Sequence, residues 1–209
     1  MNIEIFSHMP EADLNHITDM ISRNNLNIFD RLGSGSYGEV YGYKGFAIKM
    51  LDESEFCDDG ENNDVEVLQN LAHLDCVPKL YAVVDNSIMI VERIRGLTIR
   101  DITEKGKEMD TINLDERFEE KFDLSLKEII DSGYSPNDLH ESNVMIEEIT
   151  NNPKIVDVGW FKRHHWTKGN YSDVEEIVGS IDGYSRAHRW TGNAVSRYVK
   201  QKRRQALTN

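Results

Sequence analysis

The chain has few cysteines and prolines, no long apolar run and a shortage of positive charge. Its 209 residues include two cysteines and four prolines. No apolar stretch reaches the about 20 residues that a membrane-spanning helix needs. The opening residues, MNIEIFSHMPEADL, have neither the basic region nor the apolar core of a secretory signal. We therefore expect a cytoplasmic protein without a membrane span, with Cys57 and Cys76 both reduced.

Charge is unevenly distributed along the chain. The formal net charge is −13, which argues against a surface devoted to nucleic acid. Residues 185–209 nevertheless hold seven Lys or Arg and no acidic residue. We expect a basic final helix packed beside an acidic body, with an anionic contact such as nucleic acid as the alternative. The protein partner or substrate cannot be named from these patterns.

The spacing of apolar residues divides the chain into two parts. It predicts a helix over 11–24, strands from 26 to 51, a helix after the acidic loop, and two further strands up to the hinge at VERI. Helices are predicted to dominate the remainder. The chain is thus expected to have an α+β architecture of two lobes, 1–94 and 95–209, and clefts between lobes commonly bind ligands.

Two of the predicted helices are defined by their apolar stripes. The first carries Val65, Leu68, Leu71 and Leu74. The second carries Leu114, Phe118, Phe122, Leu126, Ile129 and Ile130. Two short strand-like runs, VMIEE and KIVDV, follow the second helix.

The stretch RLGSGSYGEVYGYKGFAIKM places Gly33, Gly35 and Gly38 between two strand-like runs. Glycines at this spacing fit an ordinary hairpin, or a loop whose N–H groups approach phosphate oxygens without obstruction by a Cβ atom. A dinucleotide-binding fold would place a helix directly after the glycines. The strand-like run that follows them here excludes that fold.

Lys49 lies in the apolar strand FAIKM. A lysine at such a position commonly faces solvent, but it can also reach the phosphates of a nucleotide if an acidic residue orients it. Asp64 shares a helical face with Leu68 and should point inward. Glu61, one turn earlier, is the second candidate for this role.

Three polar residues further along suit phosphoryl transfer. Asp138 and Asn143 lie in NDLHESN, and Asp157 lies in VDVG. A base for the acceptor hydroxyl, an amide oxygen and a carboxylate for a metal ion are the groups that this reaction uses. Each alone is more commonly structural, whereas the ordered set indicates chemistry.

These motifs together resemble the protein kinase superfamily in a minimal bacterial form, with a truncated activation segment and C-lobe. Gly33, Gly35, Gly38 and Val40 fit G-x-G-x-x-G-x-V, and Ala47-Ile48-Lys49 matches the strand-lysine motif. The resemblance covers about residues 28–181. It implies a small antiparallel sheet with helix C in the N-lobe, a reduced and mainly helical C-lobe, and ATP and Mg²⁺ as cofactors.

The resemblance also assigns roles to individual residues. Asp138 becomes the catalytic base, and Asn143 and Asp157 become the Mg²⁺ ligands. Val91 is the gatekeeper, followed by the Glu92 carbonyl and the Ile94 N–H as the adenine contacts. The full set expected at the nucleotide is Gly33, Ser34, Gly35, Ser36, Gly38, Val40, Ala47, Lys49, Asp64, Val91, Glu92 and Ile94.

The sequence also departs from the family pattern. Pro136 and Asn137 replace the His and Arg before the base, and Val158 replaces the Phe of D-F-G. Asp64 stands where the family has Glu. His140 stands two residues after the base and resembles the D-L-H-x-x-N motif of small-molecule phosphotransferases.

The resemblance implies transfer of phosphate from ATP to Ser/Thr hydroxyls of proteins, including autophosphorylation. Two alternatives remain. A pseudokinase would use the ATP-shaped cleft as a binding scaffold, which the missing His and the Asp64 substitution favour. A small-molecule phosphotransferase is favoured by His140.

Overall fold

The computed structural model describes residues 1–35, 38–50, 64–103, 112, 117–136 and 139–163. Its contacts divide the chain into two compact units. The first consists of Met1–Ala72 and Pro78–Ile94, and the second of His73–Val77 and Arg95–Asn209. None of the helices in the described ranges is both long and apolar enough to cross a membrane.

The first unit is built on a six-stranded antiparallel sheet with the order β1-β5-β6-β4-β3-β2. Its strands are β1 (Ile3–Ile5), β2 (Asp30–Gly35), β3 (Gly38–Tyr43), β4 (Phe46–Met50), β5 (Leu80–Val84) and β6 (Ile88–Glu92). Its helices are α1 (Glu11–Ser22), a 3-10 turn (Leu26–Ile28) and α2 (Asp64–Asn70).

A hydrophobic core lies between one face of this sheet and α1. The helix contributes Ile17 and Met20, which its 3.6-residue repeat places on one side. Strands β4 and β6 contribute Ile48 and Ile90, both fully buried. Burying an aliphatic side chain of this size stabilises a fold by about 1.5–3 kcal/mol, so α1 is an integral part of the first unit.

The second unit combines helices with short strands. Its elements are β7 (Gly96–Thr98), α3 (Ile99–Thr103), α4 (Phe118–Asp131), β8 (Tyr134–Ser135), β9 (Val144–Glu147), β10 (Pro153–Ile155) and β11 (Lys162–Arg163). Strands β10, β9 and β7 form one antiparallel sheet, and β8 pairs with β11. Helix α4 buries the predicted apolar stripe: Phe118, Phe122, Leu126, Ile129 and Ile130.

Gly96 is required by a close approach between strands β7 and β9. A Cβ atom at this position would lie 1.9 Å from the carbonyl oxygen of Ile146. Since that neighbour is backbone within a paired strand, it cannot move aside as a side chain would. The glycine therefore fixes how closely β7 packs on β9.

The expected α+β architecture is confirmed, with differences at particular elements. The helix expected over 11–24 spans Glu11–Ser22, and the strand pattern expected from Leu26 begins instead with a 3-10 turn. The helix expected to carry Leu74 ends at Asn70, because the chain turns there. The sequence reading also missed β1, β7 and α3. Leu114 and the basic residues 185–209 lie outside the described residues.

Candidate active site

The glycine-rich stretch forms a hairpin of strands β2 and β3. Gly35 pairs with Gly38, so Ser36 and Tyr37 complete the connection and lie outside the described residues. Gly38 has a φ of 131°, a conformation that residues with a Cβ atom rarely adopt. The backbone at this end of the sheet is thus free of side-chain obstruction at the two paired glycines, as a phosphate-binding loop requires.

Cross-strand register brings several predicted nucleotide contacts to one face of the first unit's sheet. Val40 pairs with Lys49, and Ala47 pairs with Val91. Directly paired residues share a face, and so do residues two apart on one strand. Val40, Ala47, Lys49 and Val91 therefore line the same face, opposite the face on which Ile48 enters the core.

Lys49 and Asp64 form an ion pair on this face. The Lys49 Nζ lies 2.6 Å from the Asp64 Oδ2. The Lys49 side chain is 16% exposed and the Asp64 side chain 3% exposed. Because removing one member would leave a buried charge uncompensated, the pair orients both side chains. Of the two acids considered for this role, Glu61 lies outside the described residues.

At the end of β6, two consecutive backbone N–H groups are hydrogen-bonded to carbonyls of neighbouring segments. Glu92 N–H donates to the Lys79 carbonyl at 2.8 Å, and Arg93 N–H donates to the Gly45 carbonyl at 3.0 Å. Among the described residues, none accepts a hydrogen bond from the N–H of Ile94. A backbone donor of this kind is available to a ligand.

In the second unit, the β9–β10 hairpin brings Asn143 and Asp157 together. Val144 pairs with Ile155, and Val156 N–H donates to the Asn143 carbonyl at 2.9 Å. Asn143 and Asp157 therefore flank the same end of the hairpin. Asp157 has a φ of 62°, an uncommon conformation for a residue with a side chain and one that often marks a functional position.

The donor set of these two residues fits Mg²⁺. An amide oxygen and a carboxylate are hard ligands of the kind that this ion prefers. Asn143 is buried, and Val158, directly after Asp157, is almost fully buried. Both positions are thus anchored next to well-packed neighbours.

The segment that leads to Asn143 contains the motif with the predicted base. Asp138 lies outside the described residues, whereas Leu139 next to it is buried. His140 Nδ1 accepts a hydrogen bond from Ser142 N–H at 3.3 Å, and the His140 carbonyl accepts one from Asn143 N–H at 2.9 Å. Because Nδ1 is an acceptor, a neutral His140 ring carries its proton on Nε2.

A family model described as the ABC1 atypical kinase-like domain matches residues 19–177. The chain belongs to this family. The match begins within α1, includes the glycine hairpin, Lys49 and Asp157, and ends at residue 177. The ABC1 kinase-like domain thus includes both sets of residues described above, and it confirms the predicted place in the protein-kinase-like superfamily.

Curated relatives include plant receptor-like kinases. One G-type lectin S-receptor-like serine/threonine-protein kinase of Arabidopsis thaliana is 25% identical over 192 residues, which are 81% of this chain and 22% of that protein. A second kinase of the same description is 26% identical over 191 residues, 84% of this chain and 23% of the relative. The chain spans less than a quarter of the length of these relatives.

The sequence did not predict two features of this region. The contact between Val156 and Asn143 ties the two predicted metal ligands together, and only the strand register reveals it. Arg93 extends over Gly42, where a Cβ atom would lie 2.8 Å from its guanidinium carbon, and Arg93 pairs with Asp30 at 3.3 Å. The glycine at position 42, within a strand, was the available signal for this close approach.

Proposed function

We propose that this ABC1 kinase-like domain transfers the γ-phosphate of ATP to Ser/Thr hydroxyls of proteins, its own included, with Mg²⁺. The observation that carries the proposal is the Lys49–Asp64 ion pair on the sheet face shared with Val40, Ala47 and Val91. The plant relatives described as serine/threonine-protein kinases support the acceptor class.

In the first unit, Lys49 supplies the positive charge for the nucleotide phosphates. Asp64 holds the ammonium in place, so little reorganisation is needed when phosphates bind. The glycine hairpin offers backbone N–H groups to the same phosphates. Adenine hydrogen-bonds to the Glu92 carbonyl and to the Ile94 N–H, which has no acceptor among the described residues.

In the second unit, Asp138 accepts the proton of the acceptor hydroxyl, and Asn143 and Asp157 would hold Mg²⁺. The ion, when bound, neutralises charge on the phosphates. The hydrogen bond from Val156 to Asn143 keeps the amide and the carboxylate at the same end of the hairpin. The second unit therefore contributes one catalytic base and two oxygen ligands for the metal ion.

The proposal is tested by incubating the full chain with γ-labelled ATP and Mg²⁺, alone and with generic protein substrates. We expect label on Ser or Thr after acid hydrolysis, and we expect none with Asp138→Asn. MgATP binding without transfer would instead support the pseudokinase alternative.

A small-molecule phosphotransferase is the second candidate. The observation that favours it is His140, whose Nδ1 accepts from Ser142 N–H so that a neutral ring presents Nε2–H as a donor. Release of ADP that depends on an added small alcohol or amine, without label on protein, would support this candidate. The Lys49–Asp64 contact argues against the pseudokinase, because the Asp at this position still pairs with the lysine.

A further inference from the structure

Arg93 lies on the sheet face that carries the residues assigned to the nucleotide. Gly42 pairs with Ala47, and Ala47 pairs with Val91, so these three positions form one row across β3, β4 and β6 and share a face. A Cβ atom on Gly42 would project from that face, and it would lie 2.8 Å from the Cζ and Nη1 atoms of Arg93. The Arg93 guanidinium therefore covers Gly42 on the nucleotide face.

The row that contains Gly42 lies at the base end of the proposed nucleotide site. Lys49, assigned to the phosphates, is two residues further along β4 than Ala47, a distance of about 7 Å along a strand. Arg93 also directly precedes Ile94, whose N–H is proposed to bind adenine. The guanidinium is thus at the level of the base rather than of the phosphates.

Backbone and side-chain contacts hold Arg93 in this position. Its N–H donates to the Gly45 carbonyl at 3.0 Å. Its Nη1 lies 3.3 Å from the Asp30 Oδ2. The Arg93 side chain is 22% exposed, whereas that of Asp30 is 76% exposed, so this pair orients the guanidinium and adds little to stability. The absence of a side chain at Gly42 lets the guanidinium lie close to the strand backbone.

The surroundings of the guanidinium suit a flat aromatic ring better than an anion. Leu32 lies beside it, since the Leu32 Cδ2 would be 2.9 Å from the same Cβ atom on Gly42, and Leu32 is 42% exposed. Ala47 adds apolar surface in the same row. The Asp30 carboxylate already balances the positive charge and would repel a phosphate. A planar cation next to exposed apolar surface is suited to stacking on an aromatic ring.

We propose that Arg93 is a nucleotide-binding residue whose guanidinium stacks on the purine ring. The location of the base rests on the proposed function, in which the Glu92 carbonyl and the Ile94 N–H bind the edge of adenine. Arg93 adds a contact to the face of the ring. Asp30 is the positioning residue, because it holds the guanidinium over Gly42.

Titration of the full chain with adenosine, followed by amide NMR without Mg²⁺, tests Arg93 apart from phosphoryl transfer. We expect Arg93→Met to lower the affinity for adenosine about tenfold, a loss of the size expected for a stacked guanidinium. Arg31→Met is the matched control and should leave this affinity unchanged. Arg31 pairs with Glu39 at 2.9 Å and stands opposite Tyr41, which packs on the core side of the sheet.

Two further ligands separate stacking from other contacts. 2′,3′-Dideoxyadenosine lacks both ribose hydroxyls and should show the same loss of affinity with Arg93→Met. Inorganic tripolyphosphate with Mg²⁺ should bind the wild-type and Arg93→Met proteins equally. The melting temperature of Arg93→Met should stay within a few degrees of the wild-type value, because the lost pair is exposed.

Several results would overturn the assignment of Arg93. They are a wild-type protein that does not bind adenosine, equal adenosine affinity of the wild-type and Arg93→Met proteins, and an equal loss with tripolyphosphate. A loss confined to ligands with ribose hydroxyls, or a strongly destabilised Arg93→Met protein, would also overturn it. Adenosine binding that depends on Arg93 in a protein that transfers no phosphate would contradict the proposed function alone.

Discussion

Two buried lysines, one in each unit, differ in what faces them. Lys49 in the first unit lies 2.6 Å from the Asp64 carboxylate. Lys154 in the second unit is 9% exposed as a whole residue, but its ammonium is not among the fully buried unpartnered atoms, and it has no ion-pair partner within the described residues. Asp64 therefore holds the Lys49 ammonium in place. The Lys154 ammonium instead reaches solvent at the end of a largely buried stem, as long cationic side chains commonly do.

The two lysines also differ in the residues that surround them. Lys49 shares its sheet face with Val40, Ala47 and Val91, so its neighbours in space are fixed by strand register. Lys154 has no charged partner within the described residues, and its ammonium reaches solvent. Mutations should therefore have a large effect on stability at Lys49 and a small one at Lys154.

The largest effect is expected at Lys49. Lys49→Met should lower phosphoryl transfer by orders of magnitude, because it removes charge that stabilises the transition state. It should also lower the free energy of unfolding by about 3 kcal/mol, since Asp64 loses its partner. Rates with γ-labelled ATP and urea unfolding give the two numbers.

Adding Asp64→Leu provides the matched control for Lys49→Met. The double variant should regain stability, because no unpaired charge remains, and it should stay inactive. A double variant that transfers phosphate at the wild-type rate would remove Lys49 from the proposed mechanism.

The second prediction separates the base from a metal ligand. Asp138→Asn should abolish transfer while MgATP affinity stays within a few-fold, because its partner is the acceptor hydroxyl. Asp157→Asn should weaken Mg²⁺-dependent nucleotide binding as well. Calorimetric titration of both proteins decides this, and equal losses of affinity would refute the division of roles.

The third prediction compares two glycines. Gly96→Ala should lower the free energy of unfolding by about 1–3 kcal/mol, since its Cβ atom would collide with the Ile146 carbonyl at 1.9 Å. Gly33→Ala should leave packing unchanged, because no atom lies within 4 Å of the added Cβ. Urea unfolding curves measure both, and a Gly33→Ala protein that loses as much as Gly96→Ala would contradict the comparison.

The smallest effect concerns Cys76 beside Lys154. Its folded-state pKa, about 12, exceeds the ordinary value of 9.0, so its contribution to stability is complete below about pH 9 and is lost as pH rises towards 12. In a Cys57→Ser background at pH 8, iodoacetamide should label Cys76 on the order of 1000-fold more slowly in the folded than in the unfolded chain, each pKa unit being tenfold. Rapid labelling of the folded protein would contradict the burial of this thiol.

Local patterns explain which elements the sequence could predict. The glycine hairpin and the strand with Lys49 follow from residues close together in the chain. Strand β1 was missed because it has three residues and its partner Val84 lies about 80 positions away from Ile3. Such pairing depends on tertiary context rather than on local preference.

The site shows the same limit. Asn143 and Asp157 were predicted from motifs, but their shared position at one end of the hairpin depends on the β9–β10 register. The burial of the Lys154 stem could likewise be recognised only once α4 and β10 were placed in space.

Placement of the metal–nucleotide complex tests the central claim most directly. With Mn²⁺ in place of Mg²⁺ and ATP bound to the full chain, NMR line broadening should be strongest at the amides of Asn143, Val156 and Asp157. It should vanish in the absence of ATP or with Asp157→Asn. Broadening centred elsewhere, or an equal pattern without ATP, would contradict the assignment of these residues to the metal of a phosphoryl-transfer site.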